Sequence, residues 1–188
     1  MDERPNDSTS QLQLTEATAL GKLALRGKPE IVTAAANDAG FNLPEAINRA
    51  ADSAAGRAIR LGPDEFLLLL EPGRLKDVGR SLGEVLADQH HAVVDLSARL
   101  VAVELIGHSA GPTTARDTLA AACPLDLDPR SFESGQATRT IFGKAEIILD
   151  CLGANHFRLL TNRSFGEYVR QLVREAGREF GLAPEPTA

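Results

Sequence analysis

Apolar residues along this chain recur at two periods, and the switching between them lays out the fold. Residues 21–25 form a short apolar run that predicts a strand. Residues 33–42 are Ala-rich but carry Asn37, Asp38 and Gly40, and Leu43-Pro44-Glu45 starts afresh, so the stretch reads as loop with at most one helical turn. Between Arg57 and Glu71, Gly62-Pro63-Asp64 divides an apolar stretch into 58–61 and 65–70, a predicted hairpin. Its second arm, Phe66-Leu67-Leu68-Leu69-Leu70, is apolar on both faces and belongs in the middle of a sheet. Beyond Pro72-Gly73 the spacing lengthens. Leu75, Val78, Leu82, Val85 and Leu86 mark one face of a helix laid on a sheet.

The period then shortens again, with 92–94 and 100–106 reading as strands on either side of a turn at Asp95-Leu96-Ser97. Thr114-Ala115-Arg116-Asp117 has the spacing of a capping box, with Asp replacing the usual Glu or Gln, and opens a short helix carrying Leu119 and Ala122. Three further apolar segments follow at 138–142, 145–150 and 157–161. Ser164-Phe165-Gly166-Glu167 is a full capping box, and its Ser164 is expected to contribute on the order of 1 kcal/mol. Phe165, Tyr168, Val169, Leu172, Val173, Ala176 and Phe180 make one apolar face of a terminal helix. The order, roughly ββαββα and then βββα, predicts an α+β fold with mostly antiparallel sheets, helices packed on one face and two ββα-type halves. The expected unit runs from 14 to 181, as one domain or as two small intimately packed lobes at about 14–107 and 108–181. The polar stretch 1–13 and the Pro-containing stretch 182–188 read as disordered tails.

Composition narrows the classes. With 188 residues, 43% hydrophobic and 24% charged, the chain matches ordinary globular proteins and can bury a core. Its longest apolar run, 66–70, falls far short of the roughly 20 residues that span a bilayer. The N-terminus lacks an apolar signal segment, so a cytoplasmic protein is expected. Net charge is -6 with scattered basic residues, no Trp and one Tyr, which argues against nucleic acid as a partner. Cys123 and Cys151 show no zinc spacing and read as buried reduced thiols.

Gly107-His108-Ser109-Ala110-Gly111 matches GxSxG between a strand and a helix, with Asp126 or Asp150 and then His156 following in hydrolase order. A nucleophile elbow, however, needs a parallel sheet built by βα crossovers, whereas these strands come as adjacent hairpin pairs, and Pro112 falls in the helix's first turn. The glycines read instead as a permissive turn. His90-His91 would point to opposite faces of an extended segment and reads as a solvated turn. In Asp126-Leu127-Asp128-Pro129 the leucines alternate with the acids, which places Leu125 and Leu127 in the core and the aspartates at the surface or in caps. Neither GxGxxG nor GxxxxGK[ST] occurs. No catalytic, cofactor-binding or metal-ligating residue is therefore assigned.

The most informative run is Cys123-Pro124-Leu125-Asp126-Leu127, followed by Arg139-Thr140 and by Arg163-Ser164-Phe165 with Tyr168. It is a rigid, half-apolar connector leading into strands and a helix, which is how a chain builds a packing surface. Together with Leu61-Gly62-Pro63-Asp64-Glu65-Phe66-Leu67-Leu68 and Val94-Asp95-Leu96-Ser97, it resembles the gamma subunit of heterotetrameric sarcosine oxidase. The chain departs from that pattern at His108-Ser109, where relatives more often show a Gly-Pro type turn. The resemblance implies a reduced relative of the folate-binding fold of the glycine-cleavage aminomethyltransferase. It also implies a scaffolding role beside alpha, beta and delta subunits that carry FAD, FMN, NAD, zinc and the tetrahydrofolate site, with no cofactor on this chain. The alternative it leaves is a stand-alone folate-dependent transferase. A pterin on this fold needs a buried carboxylate; Glu104 is the candidate, and it reads as an outward-facing strand residue. The interface expected from the resemblance comprises Cys123, Pro124, Leu125, Asp126, Leu127, Arg139, Arg163, Ser164, Phe165 and Tyr168.

Overall fold

The computed structural model describes residues 12–17, 19–108 and 114–182. Strands β1 (Leu12–Glu16) and β2 (Gly21–Arg26) lead into helix α1 (Pro29–Asp38), and a meander β3 (Arg49–Ser53), β4 (Gly56–Gly62) and β5 (Glu65–Leu70) follows. A single 3-10 turn at Pro72–Arg74 opens α2 (Leu75–Val85). Strands β6 (Ala92–Asp95) and β7 (Leu100–Gly107) come next, then α3 (Thr114–Ala120). A second meander, β8 (Ala137–Phe142), β9 (Ala145–Gly153) and β10 (His156–Asn162), ends in another 3-10 turn at Arg163–Phe165 and α4 (Gly166–Ala176).

The strands form two five-stranded antiparallel sheets, ordered β3-β4-β5-β2-β6 and β1-β7-β10-β9-β8. Read from its β8 edge, the second sheet repeats the first position by position. The repeat has one exchange built into it. Strand β1 precedes β2 in the chain yet pairs with β7, while β6 precedes β7 yet pairs with β2. Each half thus lends its first strand to the other's sheet, and the two halves are interlocked.

Period-two alternation sends the sides of each central strand into different cores. On β5, Phe66, Leu68 and Leu70 pack beneath α1 and α2, while Leu67 and Leu69 face the other sheet. On β9, Ile147, Leu149 and Cys151 pack beneath α3 and α4, and Ile148 faces inward. Ile59, Leu67 and Leu69 of one sheet meet Ala102, Ala137, Ile148 and Leu160 of the other. The layers therefore run helices, sheet, sheet, helices. This is the α+β arrangement expected, with helices on one face of each sheet. No helix among the described residues is long and apolar enough to cross a membrane.

Several elements differ from expectation. Residues 33–42 belong largely to α1: Pro29 fixes its first turn, and Val32, Ala35 and Ala36 are buried. Asn37, Asp38 and Gly40 mark its end. Gly40 adopts φ +88, its amide donates to Asn37 O, and the Phe41 amide donates to Ala36 O, a Schellman closure that seats Phe41 in the core. Strands β1 and β3 were not expected, because Leu12–Glu16 lies at the polar N-terminus and Arg49–Ser53 is rich in Ala and charge. Leu12 and Leu182 are both buried. The Asp95-Leu96-Ser97 turn joins strands of different sheets, so it is a crossover and not a hairpin. Val85 is 59% exposed and leaves the apolar stripe of α2.

The Ser164 box is not formed. The 3-10 turn opens α4 with the Gly166 amide on Arg163 O, no side chain caps the helix, and Glu167 accepts from Arg170 and Gln171. At α3, the Ala115 amide donates to Asn155 Oδ1 at 2.9 Å, while Asp117 is exposed.

Two glycines give opposite expectations for one substitution. Gly56 has φ +145, and a Cβ there would lie 2.1 Å from Leu69 O, whereas Gly83 in α2 has nothing within 4 Å. Gly56→Ala should lower unfolding stability by about 2–3 kcal/mol or more, and Gly83→Ala should raise it by roughly 0.5–1 kcal/mol. Urea denaturation of the two variants checks both signs.

Candidate functional site

The inter-sheet layer is apolar at one end and ionic at the other. Asp150 on β9 is fully buried and shares the inward side of its strand with Ile148. Arg57 on β4 reaches it from the opposite sheet, donating from Nε at 3.0 and 3.1 Å and from Nη2 at 2.8 Å. Arg57 Nη1 also donates to Asp52 Oδ2 at 2.7 Å, directly across the β3–β4 pair. Arg158 on β10 lies opposite both Asp150 and Glu104 in register. It donates to Glu104 Oε1 at 2.9 and 2.7 Å and approaches Asp150 Oδ2 at 3.5 Å. His156 Nε2 is 2.9 Å from Glu104 Oε2. The result is one chain of alternating charge, Asp52, Arg57, Asp150, Arg158 and Glu104, that ends on the imidazole of His156.

Burial pushes the Asp150 carboxyl up, and the hydrogen bonds from Arg57 limit the rise. Burial works against the Arg57 cation, yet Asp150 and Asp52 together hold its proton above the usual range. Burial also opposes the Glu104 charge, but hydrogen bonds from Arg158 and His156 outweigh it and keep the carboxyl below its ordinary value. Glu104 is half-buried, and both of its carboxylate oxygens are taken. It is committed to internal partners.

Of the residues expected to form an interface, Cys123 and Tyr168 meet at the turn between β8 and β9. Cys123 is buried with Sγ 3.8 Å from Thr140 Oγ1, and the Gly143 amide donates to Ala122 O. The Lys144 amide donates to Tyr168 Oη at 3.1 Å, so α4 closes the same turn from the other side. Leu127 is buried, Leu125 packs against the same core, and Pro124 is exposed. Asp126 and Asp128 are used as local caps, accepting from the Asp128 and Arg130 amides at 3.0 and 2.9 Å. Asp128 is drawn down to about 2, chiefly by hydrogen bonds from Arg130. Phe165 and Tyr168 are 41% and 36% exposed, as is Ile141 at 48%. Ser164 is exposed, and Arg163 ties to the Ala98 carbonyl at 2.7 Å. Arg139 stands apart from this group. It crosses to Glu65 of the other sheet at 2.9 Å, over the mouth of an inter-sheet cavity of about 270 Å³ with a leucine- and isoleucine-lined floor.

Sequence reasoning missed Arg116. It is 4% exposed, and its guanidinium donates to Leu127 O at 2.7 Å and to Phe132 O and Ala154 O at 2.8 Å, lying 4.9 Å over the Phe157 ring. One side chain thereby ties down two points, Leu127 and Phe132, in the middle of the connector between α3 and β8. Its position three residues before Leu119, on the buried side of a short helix, was the available signal.

Of the residues with hydrolase spacing, Ser109 lies outside the described residues. Asp150 is held by Arg57 and His156 by Glu104. The amide of Gly107 donates to Asn155 O, and a Cβ at Gly107 would lie 1.8 Å from Asn155 Nδ2, so this glycine serves close packing. Cys123 and Cys151 are free and buried, and burial pushes the Cys151 thiol up. His91 Nδ1 donates to the Gln89 carbonyl at 3.0 Å, and His90 is exposed. Among the described residues no three His, Cys, Asp or Glu side chains gather as metal ligands.

Residues 26–179 match the family model described as Sarcosine oxidase, gamma subunit family. The sarcosine oxidase subunit gamma of Corynebacterium sp. (strain P-1) is 33% identical over 177 residues, spanning 94% of this chain and 82% of the relative. The corresponding subunit of an Arthrobacter species is 31% identical over 169 residues, 89% of this chain and 79% of the relative. Among solved structures, a chain of heterotetrameric sarcosine oxidase from Corynebacterium sp. U-96 superposes with a TM-score of 0.80 at 30% identity, over 94% of this chain and 89% of that one. The glycine cleavage system aminomethyltransferase T of Bartonella henselae shares the fold, with a TM-score of 0.64 at 14% identity over 91% of this chain and half of that one.

The ion chain generates two expectations. Arg57→Met leaves Asp150 buried without its main partner and should destabilise by about 3–5 kcal/mol, whereas Arg57→Met with Asp150→Leu should recover most of the loss. Chemical denaturation of the single and double variants measures both. Glu65, drawn down by Arg139, and Glu104 both have folded values below 4.5. A lowered folded value stabilises above the unfolded pKa, and that contribution disappears as pH falls through the folded one. The stability gap between the wild type and Arg139→Gln should therefore be present at pH 6 and shrink as pH falls below 4.5. Thermal melts across that range test it.

Proposed function

The chain belongs to the sarcosine oxidase gamma subunit family, and from that membership we propose that it is the non-catalytic gamma subunit of a heterotetrameric sarcosine oxidase. In that assembly it supports oxidative demethylation of sarcosine, or of a related N-methyl amine, with the one-carbon unit passed to tetrahydrofolate. The observation that carries this reading is the likeness to a chain of the assembled oxidase over nearly the whole of this one. The internal commitment of its reactive side chains supports it.

The proposal assigns alpha, beta and delta subunits as partners, with FAD, FMN, NAD, zinc and the folate site on those chains. A pterin does not fit the candidate position here, because the Glu104 carboxylate that its amino-pyrimidine edge would need already accepts from Arg158 and His156. The physical contribution is shape. By covering apolar surface of a neighbouring subunit, the chain helps close an internal cavity in which imine and formaldehyde are kept from bulk water.

The face proposed for that contact joins the connector from Cys123 to Arg139 with the start of α4. Ile141, Phe165 and Tyr168 are large apolar side chains exposed there, and such residues anchor interfaces. The working unit in this reading is 14–181, and the exchange of β1 and β6 favours treating it as one body.

Ile141→Asp with Phe165→Asp should leave the chain's own stability within about 1 kcal/mol and lower co-purification with the other subunits by roughly tenfold or more. Co-expression followed by affinity capture measures this. Unchanged capture would move the interface elsewhere, and a wild-type chain that stays a monodisperse monomer beside the other subunits would sink the functional reading.

A further inference from the structure

A different cavity, of about 280 Å³, opens where β2, β7 and the start of α4 meet; Lys22, Ser97, Val101, Arg163, Gly166 and Arg170 are among the residues lining it. Lys22 is only 4% exposed, yet among the described residues its ammonium has a single acceptor, Leu20 O at 2.8 Å, and no carboxylate at ion-pair distance. Two of its three N–H groups are therefore unused. Arg163 donates from Nε to Ala98 O, and among the described residues its terminal nitrogens have no acceptor. Arg170 places its two terminal nitrogens on Glu16 and Glu167, leaving an enclosed Nε without a partner. Three cations with spare donors thus border one cavity. Among the described residues the one carboxylate on its wall, Glu16, is already engaged by Arg170.

We propose that this cavity is an oxyanion site for a carboxylate or phosphate group held by Lys22, Arg163 and Arg170. A buried cation is costly unless an anion or a set of acceptors meets it. Burial and then the neighbouring Arg163 lower the Lys22 pKa, and the charge of Asp95 offsets this only in part, so the ammonium sits in a net unfavourable field that an added anion would relieve. The Ser97 hydroxyl, which accepts from the Lys22 amide at 3.0 Å, retains a proton to donate. The positive end of α4 begins at Gly166 on the cavity wall and adds to the same field. The volume suits a tetrahedral oxyanion or a small carboxylate with a few waters. The anion is either a free small molecule or, where the proposed assembly holds, a carboxylate side chain of another subunit.

Two measurements decide it, using Lys22→Met, which removes the charge without opening a void. For the full-length chain, phosphate at ten times its dissociation constant should raise the melting temperature by about 3–6 °C over chloride at equal ionic strength. Lys22→Met should show no such rise. In the assembled complex, crystals soaked in selenate should give an anomalous peak within hydrogen-bond distance of Lys22 Nζ, which identifies a free anion as the ligand. A carboxylate of another subunit at that position supports the same chemistry from a macromolecular source. Equal phosphate shifts in the wild type and Lys22→Met would overturn the proposal, as would water alone at Lys22 in the complex.

Discussion

The pairing of Arg57 with Asp150 is the constraint on which the rest of the structure depends. Two sheets facing each other through Ile59, Leu67, Leu69, Ile148 and Leu160 could slide, because apolar contact has no preferred register. A fully buried carboxylate in the middle of β9 cannot slide, since any displacement strips it of the guanidinium that three hydrogen bonds hold against it. Such a pair adds little net stability compared with a well-packed apolar substitute. Its effect here is positional. It sets one sheet against the other while β1 and β6, each paired in the opposite half's sheet, keep the halves from separating.

That positional role explains why the chain looks chemically quiet. Glu104, His156 and Asp150 would be the natural acid–base set of the second sheet, yet all three belong to one charge chain with Arg57 and Arg158. A general base must be free to meet a substrate proton, and these groups meet one another. The inward polar positions are paired across the strands, with Glu104, Arg158 and Asp150 in register.

Much of this was legible in the sequence, and the failures have physical causes. The all-apolar run Phe66 to Leu70 announced a central strand because β5 feeds two cores at once. The resemblance residues Cys123 and Tyr168 lie far apart in the chain yet meet at one turn, a meeting that spacing alone could not show. Helix α1 was lost because Asn37, Asp38 and Gly40 were read as breakers of a loop when they are the closing turn of a helix. The Ser164 box misled because a 3-10 turn can satisfy the first amides of α4 through backbone alone. The ion chain was hidden for another reason: its members lie on five strands, Asp52 and Asp150 nearly a hundred positions apart, and only the register brings them together.

Three buried cations show how differently a fold can treat the same charge. Arg57 is given carboxylates. Arg116 has three backbone carbonyls and an aromatic face, which spread its charge over neutral acceptors and suit a planar fork of donors. Lys22 has one carbonyl. Were burial of Lys22 only a matter of packing, a methionine would fill the same space without the desolvation cost, and the two neighbouring arginines would not add to it. The asymmetry is hard to reconcile with a purely structural lysine. It is what a pre-arranged site looks like when its stabilising partner is a separate molecule: the protein carries the unfavourable charge in advance, and the anion that neutralises it recovers that energy on binding.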